Sequence, residues 1–313
     1  MFLGKYNIFQ ALSFKATNHT HHNLRAPMNR DVKVIGGPEN FWLYSDAEGY
    51  DITHPSAPDA PKVYPRMVLQ TRESRVVIDP AKTVLVIVDL QNYFLSPALG
   101  RPHGSLGLQV VEKLKAQAIP ACRKVGIPIL WLNWGLTEKD IDEMPPTIIR
   151  GFSMDDNFEG DRESPGLGVN LGPVELDDGS TIEAGKMLMK DEWNSKTYST
   201  LAEEAKPDDM KVWKNRLSGF WGGTEVEHVL KARGIRTLIF AGCNTDQCVA
   251  SSLNDAAWRN WDCLLLRDGT ATTSPKFAQE MVEFNMGGWG FLLDCKDLVD
   301  GANTLETGSG GDT

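Results

Sequence analysis

Six short apolar runs decide what this chain can fold into. "TVLVIVDL" (83 to 90), "GIPILWLNW" (126 to 134), "MKVWK" (210 to 214), "IRTLIFAG" (235 to 242), "WDCLLLRDG" (261 to 269) and "WGFLLD" (289 to 294) are rich in Val, Ile and Leu. Most lack the in/out alternation of a strand with one wet face, which is how strands buried on both faces read. Helical stretches separate them, roughly Gln109 to Val125, Thr224 to Arg233, Asp246 to Asn260 and Pro275 to Asn285. This succession predicts an α/β fold, a three-layer αβα sandwich around a mostly parallel sheet of about six strands. Right-handed crossovers then gather the strand carboxy ends on one edge, where open α/β sheets bind ligands.

The main domain is expected over 76–300, after an amino-terminal extension over 1–75 that is partly disordered or wraps a neighbouring subunit, covers the site or narrows access to it. Residues 151–190, rich in Gly, Pro and acids and containing "VELDDGSTI" with its Asp-Gly turn, read as an insertion within the domain, a candidate lid. Residues 301–313 read as a flexible tail. The first 30 residues hold no Asp or Glu. That resembles a mitochondrial presequence, although an extension without a targeting role is the plainer reading and a cytoplasmic location is expected. His19, His21 and His22 fall in this stretch without Cys or carboxylate company, so a solvated tail is expected there, not a metal site.

A formal net charge of −10 argues against general affinity for nucleic acid, which needs clustered Lys and Arg. No apolar run approaches the roughly 20 residues that span a bilayer. The expected partner is a small-molecule substrate, with neither nucleic acid nor membrane. Five cysteines, odd in number and lying in apolar segments, suit reduced thiols and no disulfide framework.

Three reactive side chains fall at the predicted ligand edge. Asp89 ends the first buried run, Lys214 ends another, and Cys248 follows the turn after a third. A cysteine just inside a helix start feels the positive helix end, which lowers a thiol pKa, and a neighbouring ammonium adds to that. An aspartate desolvated at a strand end is fitted to accept a thiol proton and return it. Each also has a plain reading: a capping Asp, a solvated Lys, a Cys as small apolar filler. The pair Cys243 and Cys248 could equally suggest a metal clamp, but no second Cys or His pair lies nearby, so neither metal nor cofactor is expected.

"VLVIVDLQNYF" and the long run "WKNRLSGFWGGTEVEHVLKARGIRTLIFAGCNTDQCVASSLNDAAWRNWDCLLLRDGTAT", in that order, resemble the isochorismatase-like cysteine hydrolases. The resemblance extends from about Pro80 to Val299 and implies their fold, a catalytic triad of Asp89, Lys214 and Cys248, and a cis peptide between Cys243 and Asn244. It implies an oxyanion hole from the N–H groups of Asn244 and Cys248, and a homo-oligomer. Asn92, Tyr93, Asn133, Trp134, Arg216, Phe220 and Trp221 lie beside the motifs and are candidate substrate-binding residues. The nicotinamidases of that family hold a metal through an Asp-x-His segment and a later His, and this chain has no histidine between His103 and His228, which disfavours that activity. "TSPKFAQEMVEFNM" and "GKMLMKDEWNSKTY" are similar to ureidoacrylate amidohydrolases. The implied function is cysteine-dependent cleavage of a C–N bond in a small linear amide, ureido or carbamoyl compound through a thioester. Isochorismatase-type vinyl-ether hydrolysis, which does not need the cysteine, and a non-catalytic binding role are the alternatives.

Overall fold

A computed structural model describes residues 31–153 and 166–308. The acid-free leader with its three histidines, residues 154–165 of the insertion and residues 309–313 lie outside the described residues. Thirteen strands are described: β1 Lys33–Gly37, β2 Asn40–Ser45, β3 Gly49–Asp51, β4 Met67–Gln70, β5 Arg75–Ile78, β6 Thr83–Val88, β7 Ile129–Trp134, β8 Pro173–Glu175, β9 Thr181–Glu183, β10 Met210–Lys214, β11 Thr237–Cys243, β12 Asp262–Ala271 and β13 Phe291–Leu293.

The six apolar runs form one sheet in the order β10-β7-β6-β11-β12-β13. Every pairing in it is parallel. Alternate residues of each strand feed two separate cores, which is why the runs carry no polar phase. Leu85, Ile87, Ile129 and Trp131 face one layer, where Val110 and Leu114 stand for the helical run Leu106–Val125 and Leu298 and Ala302 for the helix Cys295–Asn303. Val84, Val86, Val88, Leu130 and Leu132 face the other, against Leu230 of Val226–Ala232, Leu253 of Ala250–Trp258, and Val282 and Met286 of Lys276–Trp289. The expected three-layer αβα sandwich is the observed architecture.

Residues 33–78, read from sequence as an extension, form a second sheet in the order β1-β2-β3-β5-β4. No long apolar run announces these strands, because they are three to six residues each and β1 is exposed along its whole length. The sheet packs on the chain's own β13 edge. Trp42 and Tyr50 stack on Phe291 at 5.4 and 5.2 Å between ring centroids. Gly301 lets the last helix lie against β4, where a Cβ would come within 2.7 Å of the Val68 carbonyl oxygen.

A polar knot holds this sheet to the amino edge of the main one, opposite the ligand edge. Asp262, buried at the start of β12, accepts from Trp42 Nε1 at 2.7 Å and meets His54 Nε2 at 2.5 Å. Removing either partner leaves a buried carboxylate short of a hydrogen bond, which costs about 1–3 kcal/mol. His54→Ala and Trp42→Phe are therefore expected to lower the thermal midpoint and to raise hydrogen exchange first in residues 33–78. Unchanged midpoints in both variants would show that the knot contributes nothing to docking.

Candidate active site

Asp89, Lys214 and Cys248 meet at the carboxy edge of the sheet, at or just beyond the ends of three strands whose sequence positions are far apart. Asp89 directly follows β6 and adopts φ 53°, the left-handed region that non-glycine residues rarely occupy. Such a residue persists only where its surroundings determine it, and here they do. Its Oδ1 accepts from the Trp134 backbone N–H at 3.0 Å, its N–H donates to the Leu132 carbonyl at 3.1 Å, and its own carbonyl accepts from Cys243 Sγ at 3.2 Å.

Gly242 brings the turn that carries Cys248 close. At φ 120°, a Cβ there would stand 2.0 Å from the Val88 carbonyl oxygen, so only glycine allows β11 to approach β6 at this level. The chain then passes the Cys243–Asn244 peptide, which is cis at the position the family resemblance implied. A π-helical turn, Thr245–Val249, carries Cys248 and leads into the helix Ala250–Trp258.

Lys214 ends β10 with its side chain fully buried. Its Nζ lies 2.8 Å from Asp89 Oδ2, donates to the Arg216 carbonyl at 3.2 Å and sits 4.0 Å from the centroid of the Trp134 ring. Burial pushes the Asp89 pKa up, and Lys214 opposes the shift. Burial likewise raises the Cys248 thiol to about 12, against the pull of Lys214. This corrects the expectation of a lowered thiol: Cys248 is only 5% exposed, and desolvation of the anion outweighs the pull of Lys214. Cys243 is also pushed up by burial and has the Asp89 carbonyl as its partner.

Trp134 touches all three members. Its backbone N–H holds Asp89, its ring face receives Lys214, and its indole Nε1–H donates to Cys248 Sγ at 3.4 Å. Gln91 holds Trp134 in turn. Its Oε1 accepts from the Trp134 backbone N–H at 3.0 Å, and its Nε2 donates to the carbonyls of Trp134 and Ser195 at 2.7 and 2.6 Å. Sequence reasoning passed over Gln91 although it stands inside "VDLQN". A glutamine two positions after a buried strand-end acid was the available signal.

The remaining candidates separate. Asn92 and Asn133 line a cavity of about 430 Å³ with Trp131, Trp193 and Trp213. Asn133 points to the opposite face of β7 from Trp134, so this cavity lies across the sheet from the sulfur. Phe220 is fully buried against Phe240 and Trp261, with ring centroids 6.3 Å away in each case. Trp261 precedes β12 at the amino edge, so Phe220 is a core residue, and its assignment to substrate binding is corrected. Tyr93 packs edge-on against Phe94 and under Arg101. Arg216 lies 5.0 Å from the Trp221 ring, and Trp221 is 40% exposed and donates to Asn215 Oδ1. Lys214 reaches this pair through the Arg216 carbonyl. Phe152, at the start of the insertion, meets the Trp134 ring edge-on at 5.0 Å and adds an apolar wall. Among the described residues, no group of three His, Cys, Asp or Glu is placed to hold a metal ion, and no helix is long and apolar enough to cross a membrane.

An isochorismatase domain matches residues 83–287, which include Asp89, Lys214 and Cys248. The chain belongs to the isochorismatase family. Two solved structures share its fold. A cysteine hydrolase from Pseudomonas syringae pv. phaseolicola is 17% identical with a TM-score of 0.53, covering 77% of this chain and 99% of its own. An isochorismatase family protein from Desulfovibrio vulgaris is 18% identical with a TM-score of 0.52, covering 70% and 97% respectively. The residues before position 83, including the sheet over 33–78, stand outside the matched isochorismatase domain.

The indole–sulfur contact is open to direct measurement. Trp134→Phe removes the donor to Sγ and keeps a ring beneath Lys214. Alkylation of Cys248 by iodoacetamide, followed against pH, is expected to shift to higher pH in this variant, because an N–H donor stabilises thiolate more than thiol. An unchanged alkylation profile would show that the indole N–H does not stabilise the anion.

Proposed function

We propose that this chain hydrolyses a C–N bond of a small linear amide, ureido or carbamoyl compound through a thioester on Cys248. The observation that supports this reading best is the Asp89–Lys214 pair, held at 2.8 Å beside a buried thiol. A thiol pushed up to about 12 is not a standing thiolate at neutral pH. The nucleophile must therefore be made during the reaction, and among the described residues the carboxyl that interacts with the Cys248 thiol is that of Asp89.

In this scheme Asp89 takes the Sγ proton as sulfur attacks the carbonyl carbon. The former carbonyl oxygen, now an anion, receives hydrogen bonds from the N–H groups of Asn244 and Cys248. Collapse of the adduct breaks the C–N bond, and Asp89 returns the proton to the departing nitrogen, giving ammonia or an amine. Asp89 then deprotonates water for attack on the thioester, and the proton goes back to the released thiol. Lys214 favours the ionised form of Asp89, since its pull opposes the burial that raises the Asp89 pKa. Trp134 and Phe152 supply an apolar wall beside the sulfur. Ureido acids are the substrate class the motif resemblance favours, with Arg216 as the cation for a substrate carboxylate.

Ammonia release across ureido acids, carbamoyl amino acids, nicotinamide and simple aliphatic amides tests the reading, with Cys248→Ala beside the parent. Turnover that disappears in the variant is the expected result. Silence of the parent on every amide, or turnover that survives in Cys248→Ala, would sink the thioester scheme and favour vinyl-ether hydrolysis. With a substrate in hand, kcat/KM should fall as pH drops through the Asp89 pKa, because the base must be ionised. Burial raises that pKa, so the acid limb lies above the usual carboxylate range. Lys214→Met removes the opposing pull, so in its residual activity the limb should move to still higher pH. Asp89→Asn should lose about 10²–10⁴-fold in kcat.

A further inference from the structure

The cavity of about 430 Å³ lies across the sheet from the sulfur and uses none of Asp89, Lys214 or Cys248. β10 and β7 pair in parallel, with Lys211 beside Trp131 and Trp213 beside Asn133. Strand alternation sends these four side chains to one face and their neighbours Lys214 and Trp134 to the other, where the catalytic cluster sits. The segment that follows residue 192 completes the lining with Trp193, Lys196 and Thr197, and Thr197 Oγ1 accepts from Asn133 Nδ2 at 3.0 Å.

The lining has three properties that together select an occupant. It is aromatic: Trp193 and Trp213 are only half-buried beside the buried Trp131, which leaves indole surface for a flat ring to stack on. It is cationic at its mouth: Lys196 and Lys211 are exposed, neither forms an ion pair among the described residues, and no lining residue is acidic. In a chain of net charge −10 that is a local reversal of sign, which draws anions. It carries acceptors at depth: Asn92 and Asn133 are 4% and 7% exposed, and their Nδ2 groups donate to the Trp193 carbonyl and to Thr197. Among the described residues neither carboxamide oxygen receives a hydrogen bond. Buried polar atoms are normally satisfied, so these two call for a donor on whatever fills the cavity. A neighbouring cavity of about 260 Å³ shares Asn92, Trp193 and Ser199 and is lined by Asp177 and Asp178, so the charge reverses on passing Asn92.

We propose that this cavity is a second ligand site, separate from the catalytic centre, for a planar aromatic anion with an N–H donor opposite its acid group. The ring stacks among the tryptophans, the N–H reaches the oxygens of Asn92 and Asn133, and the acid group meets Lys196 and Lys211. The volume lies within the range of small-molecule sites. An aminoaromatic carboxylate and a nucleotide share this chemistry. A flat protein face fits less well, because Asn92 and Asn133 are buried and only a group that enters the cavity reaches them. The inference is independent of the hydrolytic reading.

Isothermal titration calorimetry with 4-aminobenzoate and with adenosine 5′-monophosphate is the test. At least one is expected to bind with Kd below about 1 mM, and the tighter of the two tells an aminoaromatic acid from a nucleotide. Aniline and benzoate each lack one of the two polar ends and should bind more weakly than 4-aminobenzoate. Lys196→Glu/Lys211→Glu and Asn133→Leu should each weaken the bound probe by about tenfold at unchanged circular dichroism. The lysine variant decides the matter should Asn133→Leu fail to fold, since both lysines are exposed. Alkylation of Cys248 by iodoacetamide, which blocks the catalytic side, should leave the affinity unchanged. Three results would overturn the proposal: no binding of either probe up to about 10 mM, affinity indifferent to Lys196→Glu/Lys211→Glu, or binding abolished by alkylation of Cys248, which would place the ligand at the sulfur.

Discussion

An ammonium and a carboxylate stand 2.8 Å apart with neither side chain more than 1% exposed, and much of the molecule serves to make that contact tolerable. Removing two ions from water costs several kcal/mol each unless each finds the other and further polar partners. Lys214 has the Arg216 carbonyl and the Trp134 ring, and Asp89 has the Trp134 backbone N–H. The pair is consequently a property of three strand ends at once. Displacing β10, β6 or β7 by a fraction of an ångström would strand a charge.

That dependence explains features that look unrelated along the chain. The left-handed Asp89 turns its carboxyl from the end of β6 toward β10. Gly242 lets β11 close on β6 so that Cys248 arrives beside the pair. Gln91 clamps both the N–H and C=O of Trp134, the residue that reaches the acid, the base and the sulfur together. The second sheet grips β13 and the amino edge, the opposite side from this cluster, and so leaves the carboxy edge to the insertion and the turn that carries Cys248.

Legibility followed burial. The six central strands were readable because both faces of each meet a core, so composition alone marks them. The second sheet was not, since its strands run only three to six residues, and most have an exposed or half-buried face, which resembles loop in one dimension. Asp89, Lys214 and Cys248 were readable as reactive types at strand ends and as motif positions. Neighbourhood in sequence misled at Phe220, which points down the sheet to Trp261, while strand alternation turns Asn133 away from Trp134 and onto the cavity it lines with Asn92.

The sequence by itself determined a parallel α/β sheet, the edge where chemistry could collect and the three reactive groups, because these follow from periodicity, strand ends and residue type. Only the tertiary structure decided their balance. Whether Cys248 is thiol or thiolate depends on how many apolar neighbours exclude water and on one ammonium from a distant strand, and burial won. The roles of Trp134 and Gln91 were decided there too, since a side chain acquires its contacts only when strands remote in sequence are laid side by side.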